Sequence, residues 1–133
     1  MRGCDAEGVT DASPAAGGTG DLARLTALIR EFSAERDWEQ FHDPKALVLA
    51  LVGEVGELAE LVQWLPAGDA VEHFADPDRR RRAGEEIADV LVYLLRLADV
   101  LGVDVLAATL DKQAEARRRF PVADVRGVAP RRD

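Results

Sequence analysis

Two stretches of this 133-residue chain put carboxylates where helical spacing calls for leucine. They are Glu54-Val-Gly-Glu57 and Glu86-Ile-Ala-Asp89, each inside a strongly apolar run. On a helix, three residues turn the chain by about 300° and raise it about 4.5 Å, so each pair projects side by side from one face. With about 100° per residue, Leu47, Leu51, Leu58, Leu61 and Val62 share one arc; Glu54 falls in its middle and Glu57 at its edge. The second motif repeats the pattern. Glu86 falls in line with Val90, between Tyr93 and Leu97, and Asp89 sits about 60° round, beside Arg96.

A single Glu-x-x-Glu is most often a solvated helix face. Here one carboxylate of each pair lies on an apolar face, and burying it unpaired costs several kcal/mol. Two such charges about 5 Å apart repel by about 3 kcal/mol at an effective dielectric of about 20. Arg96 and Lys45 are too few to neutralise four carboxylates. A hard divalent ion satisfies the set, and an all-oxygen site favours Mg²⁺ or Mn²⁺ over zinc. His42 and His73 have no metal-ligand spacing. The competing reading is an ionic lock between helices.

The surrounding pattern is helical throughout. Leu22, Leu25, Leu28, Ile29 and Phe32 give an apolar stripe to a first helix over 21–36. Asp37 to His42 reads as a connection carrying two aromatics and a histidine. Asp43-Pro44 and Asp76-Pro77 are helix starts, a capping carboxylate followed by proline in the first turn. The second helix is expected to reach Trp64, and the third to reach Leu101, stopped by Gly102. Asp104 caps a fourth, ending near Arg119 before Phe120-Pro121. No alternating strand pattern and no phosphate-binding loop occur; Gly17-Gly18-Thr19-Gly20 lacks the lysine such a loop needs. The expectation is an all-α, four-helix domain over 21–121, with tails over 1–20 and 122–133.

Composition excludes several classes of function. With 25 acidic against 17 basic residues, the net charge of −8 disfavours a nucleic acid polymer or an anionic membrane as partner. An anionic small molecule remains possible, because divalent metals invert the local field. A single cysteine, Cys4, rules out a disulfide framework or a zinc knuckle. The opening residues lack a signal-peptide run, and the longest apolar run, Ala46 to Val52, is too short to span a bilayer. A soluble cytoplasmic protein is expected.

Three segments carry a family resemblance: Glu35-Arg-Asp-Trp-Glu-Gln-Phe-His42, Leu51 to Trp64 around the first acidic pair, and Glu85-Glu86-Ile-Ala-Asp89-Val-Leu-Val-Tyr93. Together they resemble the MazG-like all-α nucleoside triphosphate pyrophosphohydrolases, and within them the dCTP pyrophosphatase branch. The resemblance covers roughly residues 21–121. It implies that Glu54, Glu57, Glu86 and Asp89 hold Mg²⁺, and that one of them or a neighbour orients the attacking water. It implies a base pocket of Trp38 and Trp64, with Tyr93 near the deoxyribose and Lys112 on the phosphates. Arg30 stands where some relatives carry a pocket histidine. Ala116 stands where an asparagine commonly accompanies the lysine, a contact that Arg117 or Arg118 could replace.

The resemblance implies a Mg²⁺-dependent dNTP pyrophosphohydrolase preferring dCTP and its modified forms. A broader triphosphate pyrophosphatase is the nearest alternative, and a non-catalytic helical dimerisation module is the rival from another class. The second helix is apolar over about 200° of its circumference, which four short helices cannot cover. Self-association is therefore expected, and the resemblance implies a homodimer or homotetramer with sites built at subunit interfaces, with Trp38 and Lys112 available to a neighbouring chain's site.

Overall fold

The computed structural model describes residues 20–129, and every regular element among them is helical. Helix α1 spans Asp21–Glu35, and a 3-10 turn at Glu39–Phe41 leads into α2, Pro44–Glu60. A single turn, α3 (Ala70–His73), precedes the long α4, Pro77–Leu101. Helix α5 spans Val105–Arg119 and a last turn, α6, spans Val122–Val125. The proposed tail over 1–20 lies, but for Gly20, outside the described residues.

The helix starts follow the caps read from the sequence. Asp43 accepts a hydrogen bond from the Ala46 N–H at 3.0 Å, and Asp104 accepts one from Ala107 at 2.9 Å. Asp76 accepts from both Asp78 and Arg79, which holds its carboxyl below the usual range. Helix α4 stops at Gly102, whose φ of 66° is left-handed and suits glycine. Helix α2 ends earlier than its pattern suggests. Beyond Glu60 the chain tightens into successive turns, with the Leu61 and Val62 N–H groups donating to Leu58 and Ala59.

Helix α4 organises the chain: α2 packs along it, and α1 packs against it less extensively. Only Leu47 on α2 and Leu95 on α4 are completely buried apolar residues among those described. Val48, Leu49, Val52 and Val55 on α2 stay exposed, as do Ile87 and Leu94 on α4 and Leu106 and Leu110 on α5. So much apolar surface on one chain points to burial elsewhere.

Candidate active site

Helices α2 and α4 bring the two motifs face to face. Carboxylate oxygens of Glu54, Glu57 and Glu86 all lie within 4.8 Å of one another. Glu54 and Glu86 are half-buried, whereas Glu57 and Asp89 are exposed, the division that the helical wheel anticipates. Asp89 falls outside the tight grouping of three, yet its charge reaches Glu54. Burial, then the charges of Glu57, Asp89 and Glu86, raise the Glu54 carboxyl above its ordinary range. No ion pair to any of the four carboxylates occurs among the described residues.

The cation expected beside them is committed elsewhere. Arg96, 6% exposed, donates from Nε to His42 Nδ1 at 3.0 Å and from its terminal nitrogens to Asp99 at 2.9 Å and Glu39 at 3.4 Å. Sequence reasoning placed Arg96 next to Asp89 on the wheel, which is where α4 puts it. The wheel could not show that its guanidinium turns to partners 54 and 57 residues away in sequence.

The remaining candidate residues surround different elements. Trp38 sits in the turn between α1 and α2, edge-on to Phe32 with ring centroids 5.8 Å apart. That turn is braced: Asp37 adopts φ 54°, and the Gln40 amide donates to both its carbonyl and its carboxylate, at 2.9 and 2.8 Å. Trp64 lies in the turns after α2 and is 87% exposed, with no aromatic partner among the described residues. Tyr93 is half-buried on α4, one turn after Asp89. Lys112 on α5 pairs with Glu115 at 2.8 Å and lines an open apolar groove between α5 and the end of α4. Arg30 on α1 is exposed, and its Nε and a terminal nitrogen both donate to Asp99. Gly53 and Gly56 lie inside α2 on either side of Glu54 in sequence. Within one chain a side chain at either would meet nothing within 4 Å.

The model of the MazG-like family matches residues 50–129, which include both acidic motifs. The chain is 51% identical over 109 residues to dCTP pyrophosphatase 1 of Bos taurus, covering 82% of this chain and 63% of the relative. It is 52% identical over 101 residues to dCTP pyrophosphatase 1 of Homo sapiens, covering 76% and 58%. The chain thus spans about three fifths of the length of these curated relatives. A crystal structure of a pyrophosphatase from Archaeoglobus fulgidus DSM 4304 superposes with a TM-score of 0.72 at 34% identity, covering 78% of this chain and 95% of that one. The chain belongs to the MazG-like family.

Proposed function

We propose that this chain is a Mg²⁺-dependent nucleoside triphosphate pyrophosphohydrolase that converts a dNTP and water into the dNMP and diphosphate, preferring dCTP and modified dCTP. Its role would be to keep such nucleotides out of the precursor pool. The observation that carries the reading is the convergence of Glu54, Glu57 and Glu86 without a cationic partner, in a chain about half identical to proteins named dCTP pyrophosphatase 1.

The donor set fits a hard divalent cation: three carboxylates within reach of one another, all oxygen, with a fourth, Asp89, close enough to act through its charge. Glu54, Glu57 and Glu86 would hold Mg²⁺, with Asp89 completing the set. Mg²⁺ bound there would neutralise the triphosphate and polarise the α-phosphorus. The chain supplies the rest. A carboxylate of the cluster takes the proton of the attacking water as its oxygen bonds the α-phosphorus, and the bond from that phosphorus to the α,β-bridging oxygen breaks. Diphosphate departs with both electrons of that bond. Trp38 and Trp64 offer stacking faces to the base, Tyr93 flanks the sugar, and Lys112 with Arg117 or Arg118 meets the phosphates. We assign the active form to a homodimer or homotetramer, because the exposed apolar faces of α2 and α4 need cover.

A panel of nucleoside triphosphates assayed for diphosphate release tests the substrate assignment. The highest kcat/KM is expected for dCTP. Equal rates across purines and pyrimidines would replace that preference with a broad-specificity enzyme.

A further inference from the structure

The carboxylates and Trp38 are held by different elements, and a single buried residue joins them. Arg96 lies seven residues beyond Asp89 on α4, two turns or about 10 Å along the same face. Two of its donors grip the ends of the 3-10 turn, the Glu39 side chain where it begins and the His42 ring just after it ends. A third bond reaches Asp99, which in turn takes two from Arg30 on α1. The network thus ties α1, the aromatic turn and α4 together. Trp38 opens that turn: its carbonyl accepts from the Phe41 N–H at 2.9 Å, and its own N–H donates to Ser33 at 2.9 Å. The residue remains 47% exposed, offering a flat apolar ring on a rigid support.

A buried guanidinium is an expensive way to fill space. Replacing a buried ionic cluster by a well-packed apolar residue is often neutral or stabilising, so stability alone does not account for it. What leucine could not supply is two directed bonds that fix the turn against α4, with a third inside α4 holding the guanidinium in place.

We propose that Arg96 is a positioning residue, which docks the Trp38-bearing turn at a fixed register on α4 and so sets where the nucleotide base sits relative to the carboxylates. This rests on the pyrophosphohydrolase reading. Arg96 touches no substrate; it acts through His42 and Glu39 on Trp38. Its loss therefore weakens base placement while leaving the carboxylates in place.

The test uses Arg96→Leu and Arg96→Lys, with Glu39→Gln as the milder variant at the solvent end of the clamp. With dCTP, Arg96→Leu should raise KM about tenfold with kcat within about threefold, and Glu39→Gln should raise KM about threefold. Arg96→Lys, which keeps the charge but not the fork, should fall between wild type and Arg96→Leu. In a Trp64→Phe background, where Trp38 is the only tryptophan, acrylamide should quench its fluorescence more readily in Arg96→Leu than in the parent. A purely structural role predicts changes in melting temperature and active fraction with KM and quenching unchanged, and that result overturns the inference. If Arg96→Leu fails to fold, Glu39→Gln decides: an unchanged KM overturns it. A wild type that releases no diphosphate overturns the activity itself, and the quenching comparison still decides whether Arg96 holds the turn.

Discussion

Nε of Arg96 donates to Nδ1 of His42 at 3.0 Å, joining α4 to the turn that carries Trp38. The bond requires an unprotonated Nδ1, so the ring proton of neutral His42 lies on Nε2. Burial first, and the Arg96 charge second, push the His42 pKa below its ordinary value of 6.5, against a smaller opposing pull from Glu39.

Acid should therefore loosen this junction in two stages. A histidine whose folded pKa is depressed contributes stability that is present above 6.5 and is lost as pH falls through the folded value. Asp99 behaves likewise from 3.8 downward, because hydrogen bonds from Arg30 hold its carboxyl low despite burial. Melting temperature against pH should fall first below about 6.5 and again below about 3.8. Asp99→Asn should abolish the second stage and cost about 3 kcal/mol at neutral pH, since it strips a partner from buried Arg96.

The carboxylate cluster should show the opposite sign. A carboxyl with a raised pKa, such as Glu54, contributes stability at low pH that is lost as pH rises through the folded value. Mg²⁺ offsets that loss, so its stabilising effect should be large at pH 8 and small at pH 5. At about 100 times its Kd the shift should approach 2.7 kcal/mol. Glu54→Gln should lower diphosphate release by about 100-fold or more while leaving the metal-free protein as stable as wild type or more so. Calorimetry with and without EDTA reads both effects.

How far the sequence reveals this protein depends on how local the cause is. Asp43-Pro44, Asp76-Pro77, Asp104 and Gly102 act within one helical turn, and all four mark the boundaries seen. The division of each acidic pair into one half-buried and one exposed member follows from helical phase alone. The end of α2 was placed four residues too late, at Trp64, because Leu61 and Val62 continue the apolar pattern while their N–H groups already close turns. The short turns α3 and α6 and the 3-10 turn carry too few residues for any periodicity. The destination of Arg96 was not legible, because its partners Glu39 and His42 come near only through tertiary packing.

Gly56 sits inside α2 with open space where a side chain would point. In the substrate-free protein Gly56→Ala should stabilise by about 1 kcal/mol through helix propensity. Denaturant melts check this. A destabilised variant would mean that a second chain already occupies the space beside Gly56.

Trp64, 87% exposed on one chain, should be covered in the assembled protein. Sedimentation should give two or four times the chain mass, and dilution that dissociates the oligomer should shift tryptophan emission to the red. Monomeric sedimentation at all concentrations would contradict a site shared between chains.

Glu54, Glu57 and Glu86 are proposed to serve cleavage at the α-phosphorus. Product analysis of dCTP turnover by ³¹P NMR tests it most directly, with and without Mg²⁺, alongside Glu57→Gln. dCMP and diphosphate are expected in equal amounts, only with Mg²⁺ and not from the variant. Release of dCDP and phosphate, turnover without a divalent ion, or a fully active Glu57→Gln would contradict it.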